Sequence, residues 1–138
     1  MLLNENVKEK ISSAETIYNI AKKLLNARQE TEKHKEYFYT FYLDSQNNII
    51  CIDLASIGTI NYCFPVIREI LKLALFKNAI SIIIVHNHPS KNKLASEEDL
   101  KFTEKLKEAC EIMQIKLLDH IIICDNEYNS LADNCLLN

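Results

Sequence analysis

Two histidines one residue apart, His86 and His88, close the apolar run Ile80 to Val85, and an aspartate, Asp99, follows further along. Imidazole nitrogens and carboxylate oxygens are the ligands of catalytic zinc sites. Three protein ligands of this kind leave a fourth position for a water, whose pKa the metal lowers to about 7. Side chains alternate across a strand, so His86 and His88 project the same way, and the loop from Pro89 to Ala95 has the length to bring Asp99 round to them. Each residue also has a plainer reading. A His-x-His at a strand end serves equally as a surface or hydrogen-bonded pair. Ser96-Glu97-Glu98-Asp99 is equally an N-cap serine with an acidic residue at the third helical position, where the helix dipole favours it. Asn87 and Pro89 are ordinary turn residues. The residue types alone leave both readings open.

The elements that must position these residues follow from periodicity. Ser12-Ser13-Ala14-Glu15 has the spacing of a capping box, and Ile17, Ile20, Ala21, Leu24 and Leu25 recur at helical intervals, which predicts a helix over about residues 13–28. The polar stretch Gln29 to Lys35 separates it from Tyr37 to Leu43, whose aromatic and β-branched content favours a strand. Asp44 to Asn48 is a turn, Ile49 to Ala55 a returning strand, and Gly58 a bend. Pro65 suits the first turn of a helix that carries Ile67, Ile70, Leu71 and Ala74 and ends near Asn78. Ile80 to Val85 is apolar enough for a central strand covered on both faces. A helix after Ser96 has Leu100, Thr103, Leu106, Cys110 and Met113 on its inner side, and Leu117 to Cys124 is another buried strand before a turn at Asp125-Asn126. The order α-β-β-α-β-α-β, with the C-terminal element unassigned and no repeat or linker, predicts one α/β domain with a mixed sheet across residues 1–138.

Composition narrows the function. With 138 residues, 48% of them hydrophobic, the chain has the size and apolar content of one compact core. A formal net charge of −3 offers no basic surface for phosphates, so nucleic-acid binding is expected to be weak or absent. Nothing near Met1 reads as a signal peptide, and no apolar run has the length of a bilayer span. The five cysteines, Cys51, Cys63, Cys110, Cys124 and Cys135, are odd in number and contain no C-x-x-C pair. They read as reduced core residues of a cytoplasmic protein.

Taken in order, His86-x-His88-Pro89, then Ser96, then Asp99 resembles the JAMM motif of the JAB/MPN metalloproteases. The segments Ser81 to Ser90 and Leu117 to Ile123, together with Leu43-Asp44 and Gly58-Thr59, are similar to those of the RadC branch, and the likeness spans roughly Glu36 to Ala132. The resemblance implies a three-layer domain with a mixed sheet flanked by helices, the cytidine-deaminase-like JAB/MPN fold. It implies one zinc ion per chain on His86, His88 and Asp99, with Ser96 donating to an oxyanion and Glu36 as general base, in preference to Glu32, Asp53 or Glu69. The implied reaction is hydrolysis of a peptide or isopeptide bond in a peptide or protein substrate. A second reading is a non-catalytic adaptor for a protein or nucleic-acid partner, linked to DNA repair. Two departures bear on that choice: Lys91-Asn92-Lys93-Leu94-Ala95 lacks the Gly and Pro of the usual RadC loop, and the helix-hairpin-helix region of longer RadC proteins has no counterpart. Neither His-Glu-x-x-His nor Pro-Cys-x-x-Cys occurs, and His86-Asn87-His88 is too compact for an HNH nuclease, whose residues are dispersed over a ββα unit.

Overall fold

Alternating side chains and two helical stripes build a three-layer α/β/α domain. The computed structural model describes residues 10–58, 64–90 and 92–137, so the expectations placed on Met1, Thr59, Cys63 and Lys91 lie outside the described residues. The elements are α1 (Ala14–Asn26), a 3-10 turn (Glu30–Glu32), β1 (Glu36–Leu43), β2 (Ile49–Gly58), α2 (Ile67–Phe76), β3 (Ser81–Asn87), α3 (Glu97–Ile112), β4 (Lys116–Cys124) and β5 (Glu127–Ser130). The sheet order is β2-β1-β3-β4-β5, with β3 and β4 parallel and the other neighbours antiparallel. The mixed sheet expected from the sequence is therefore present, and the unassigned C-terminal element is its edge strand.

On β1, Tyr37, Tyr39, Phe41 and Leu43 face α1, where they join Ile17, Ala21, Ile83, Val85, Ile121 and Ile123. Phe38 and Tyr42 face α2 and α3, with Ile70, Ile82, Ile84, Leu106 and Cys110. Burial of this area drives the fold. β3 lies at the centre and is buried from Ser81 to His86, as its unbroken apolar run implies.

Several local expectations shift. The helix α1 stops at Asn26, and its N-cap is Ser13, whose side chain makes no capping bond, so the box at Ser12 and Glu15 does not form. Pro65 precedes α2, because Val66 is still extended and serves as the N-cap. β2 runs on to Gly58, held by its pairing with Glu36, and Gly58 makes no left-handed turn. Asn47, Asn78, Gln114 and Asp125 take that conformation instead. Asn78 and Gln114 end α2 and α3 in the same way: Ala79 N–H donates to Ala74 O and Ile115 N–H to Cys110 O, both at 2.9 Å. Leu100 and Met113 are exposed, whereas Asp99, Thr103, Leu106 and Cys110 form the inner stripe of α3. Thr103, Leu106 and Cys110 lie where periodicity placed them, and Asp99 takes the place expected of Leu100. Cys51, Cys110 and Cys124 are buried thiols, but Cys135 is exposed and not a core residue. Among the described residues no helix is long and apolar enough to cross a membrane.

One irregularity bears directly on the site. Between β3 and β4 the register shifts, Ile82 facing Leu117 and Ile83 facing Asp119, so Leu118 is an extra residue. The side-chain phase of β4 flips there, and His120, opposite Ile84, turns to the α2/α3 face. Asp119 fastens this stretch. Its Oδ1 accepts from His120 N–H (2.7 Å) and Ala132 N–H (3.0 Å), and its Oδ2 from the Ser130 hydroxyl (2.6 Å). Asp119→Ala should therefore cost about 1–3 kcal/mol in urea unfolding, because buried donors lose their acceptor. Asp119→Asn, which keeps an acceptor for both backbone donors, should recover most of that loss; equal destabilisation by the two variants would show that these bonds do not hold the bulge.

Candidate metal centre

The two histidines sit where β3 runs out of sheet partners. Alternation places Ile82, Ile84 and His86 on the α2/α3 face, and His88 follows in phase. His88 is still tied to the sheet, since its N–H donates to Ile123 O at 2.8 Å. Pro89, without an N–H, cannot continue the ladder. Beyond the loop, Ser96 caps α3 in a reciprocal box: its hydroxyl oxygen accepts from Asp99 N–H (3.0 Å), and its own N–H donates to Asp99 Oδ2 (2.9 Å). The same carboxylate reaches the histidines, with Oδ2 3.0 Å from His88 Nε2 and Oδ1 3.2 Å from His86 Nε2. The two readings of Asp99 that the sequence left open, helix cap and ligand-type residue, thus hold for one side chain at once.

His86 Nε2 and His88 Nε2 stand 2.9 Å apart. His88 Nδ1 lies 2.8 Å from the carbonyl of Asn92, which only accepts, so that nitrogen carries the proton and a neutral His88 presents an Nε2 lone pair to Asp99. Lone pairs facing one another at these distances repel unless a proton or a metal ion lies among them. Two nitrogens and a carboxylate form such a donor set, and among the described residues they are the one group of His, Cys, Asp or Glu side chains found able to hold a metal ion. No cysteine belongs to it. Burial opposes ionisation of Asp99, but its contacts with His86 and His88 prevail and hold its carboxyl well below the usual range. Burial also opposes charge on His88, yet the bonds to Asp99 and Asn92 raise its pKa, whereas burial depresses that of His86. Of the two histidines, His88 is thus the one whose surroundings favour a proton.

Glu36, named as general base from the family resemblance, opens β1 rather than preceding it, and it is half-buried. It lies in phase with Phe38, which pairs with His86 across β1 and β3, so it stands on the histidine face. Burial, reinforced by the charge of Asp99 and offset by that of His88, raises its pKa. Glu32 instead lies 3.9 Å from Lys35 Nζ, Asp53 is in β2 beyond β1, and Glu69 is exposed on α2. Ser96 is exposed beside Asp99, and capping uses only its acceptor capacity.

Four residues to which the sequence assigned no part in the site complete the surroundings. Asn87, read as a turn residue, donates to Lys35 O (3.0 Å) and accepts from Tyr37 N–H (2.6 Å), bracketing the backbone of Glu36 just where β1–β3 pairing ends. His120 Nε2 lies 2.7 Å from His86 Nδ1, and Thr103 Oγ1 lies 2.6 Å from His120 Nδ1. Phe38 stacks on His86, the rings 5.4 Å apart at 4°. The loop without Gly or Pro is fastened to the sheet edge: Asn129 Nδ2 donates to Lys93 O (3.1 Å), and Lys93 pairs with Glu127 at 3.6 Å.

Comparison with known proteins agrees with this geometry. The family model described as RadC-like JAB domain matches residues 11–136. The chain is similar to a UPF0758 protein of Methanosarcina mazei, 42% identical over 94% of this chain and 54% of the relative. A UPF0758 protein of Methanococcoides burtonii is 41% identical over 96% of this chain and 56% of its own length. One of Haemophilus influenzae is 38% identical over 83% and 52% respectively. The chain therefore spans about half the length of the curated relatives it matches. With the family model covering nearly the whole described chain and the His-His-Asp group assembled at the end of β3, the protein belongs to the RadC-like JAB domain family.

Proposed function

We propose that this domain is a zinc-dependent hydrolase of the JAMM metallopeptidase type, cleaving a peptide or isopeptide bond with an activated water. The observation that carries this reading is the convergence of His86, His88 and Asp99, with Glu36 on the same face and an exposed serine hydroxyl beside them. His86 Nε2, His88 Nε2 and an Asp99 oxygen would hold the ion; nitrogen and oxygen ligands without sulfur, three in number, suit zinc with one position open. Bound there, zinc supplies Lewis acidity toward a carbonyl oxygen and a water.

The chain's own groups account for the remaining steps. Glu36, its pKa raised by burial, accepts the proton of the attacking water and passes it to the leaving amine. The Ser96 hydroxyl donates to the oxygen that gains charge as the carbonyl is attacked. A groove of 720 Å³ bounded by Leu94, Ala95, Leu100, Tyr128 and Asn129 begins next to Ser96 and would receive an extended peptide. The acidic net charge favours a protein substrate over nucleic acid, and the buried thiols suit a reducing, cytoplasmic setting.

Zinc content and turnover of a peptide or isopeptide library test the reading. The parent should carry about one zinc per chain. Glu36→Gln should keep the metal and lose about 10²–10⁴-fold in rate, whereas His88→Ala should lose metal and activity together. Parental turnover by Glu36→Gln would remove Glu36 from the mechanism, and a zinc-loaded parent that cleaves nothing would favour the adaptor reading. Asn87→Ala should keep the zinc but lower kcat by up to about 100-fold, since Glu36 loses the brace that sets its place; an unchanged kcat would show that β1–β3 pairing suffices.

A further inference from the structure

A buried chain of hydrogen bonds behind His86 limits where its proton can be. Thr103 Oγ1 lies 2.6 Å from the carbonyl oxygen of Asp99, one turn earlier in α3, and 2.6 Å from His120 Nδ1. His120 Nε2 lies 2.7 Å from His86 Nδ1. His120 is wholly buried, and His86 and Thr103 are nearly so, at 2% and 3% exposed. A hydroxyl has one proton to give, and a carbonyl oxygen has none. At 2.6 Å the Thr103 proton must lie toward Asp99 O, because two oxygens facing each other by their lone pairs would repel. Thr103 therefore accepts from His120 Nδ1–H. With both rings neutral, His120 Nε2 is left as an acceptor and His86 Nδ1 as the donor to it. Three contacts use three protons, and no other assignment of neutral rings satisfies all three.

We propose that Thr103 and His120 are positioning residues that hold His86 in its Nδ1–H tautomer, so that His86 Nε2 always presents a lone pair to His88 and Asp99. The opposite tautomer would put a proton on Nε2, inside the group of acceptors, and would have to be undone before a metal could bind. The relay starts at the main-chain carbonyl of Asp99, so the residue that supplies the carboxylate also sets the tautomer of the histidine beside it. The bulge at Leu118 is what turns His120 to this face. The assignment rests on the metal-centre reading for its purpose but not for its proton positions, which are properties of the metal-free chain.

Long-range proton–nitrogen NMR on the metal-free, nitrogen-15-labelled chain reads both rings directly. His86 and His120 should each appear as the Nδ1–H tautomer. Zinc affinity, measured by competition with a chelator, should fall about 10- to 100-fold in Thr103→Val, whose side chain keeps the shape without the hydroxyl, and Thr103→Ser should restore it. In Thr103→Val the His120 signals should also leave the single-tautomer position, a change that lost packing alone would not cause. An Nε2–H signal for His86 in the metal-free parent would overturn the proposal, as would parental zinc affinity in Thr103→Val. An Nδ1–H His86 in a parent that binds no zinc would support the proton assignment while rejecting the metal centre, so the two readings fail separately.

Discussion

At the end of β3 two imidazole nitrogens and a carboxylate are packed within about one hydrogen-bond length of each other, and most protons that could relieve them are committed elsewhere. The Nδ1 proton of His88 is used on the Asn92 carbonyl. Asp99 Oδ2 already accepts from Ser96 N–H. Acceptors confined in this way need a cation among them, because burial withholds the water that would otherwise screen their repulsion. The arrangement is costly to build and is best understood as a place kept for a positive charge.

Asp99 ties that demand to the fold. Its carboxylate closes the capping box that starts α3, its backbone carbonyl takes the Thr103 hydroxyl, and its two oxygens face the two histidines. The first turn of α3, the inner stripe of that helix and the ligand group are thus one mechanical unit. On the other side, Asn87 couples the strand carrying the histidines to the backbone on either side of Glu36. The relative placement of His86, His88 and Glu36 rests on β3 and its pairing with β1, not on the loop after Pro89. That loop departs from the usual RadC composition, yet its role toward the site is narrow: the Asn92 carbonyl orients His88, and Lys93 anchors the segment to Asn129 and Glu127. A backbone carbonyl makes the same contact whatever side chain it carries, whereas the side chains of Leu94 and Ala95 line the groove beside the site.

The sequence by itself determined the parts whose information is local. His86 and His88 share a face because strand side chains alternate, and Asp99 follows a serine at the distance a capping box requires, so residue order and spacing suggest the three groups that meet, while reading them as metal ligands rests on the resemblance to the JAMM motif. The apolar run of β3 announced a central strand, and the alternation of helices and strands announced the mixed sheet. Tertiary structure decided the rest. A helical stripe does not fix the edges of the arc that meets the sheet, which is why Leu100 and Met113 lie exposed and Asp99 lies inside, while Thr103, Leu106 and Cys110 are buried as periodicity implies. Proline and serine near a helix start do not fix the starting residue, as Pro65 and Ser12 illustrate. Asn87 and His120 had no distinguishing local pattern and Thr103 only its place on the inner side of α3, since what makes them matter is a partner on another strand or helix. His120 reaches His86 only because one extra residue, Leu118, shifts the phase of β4 against β3. Register between strands arises from packing over the whole sheet, and it has no signature in the residues that it brings together.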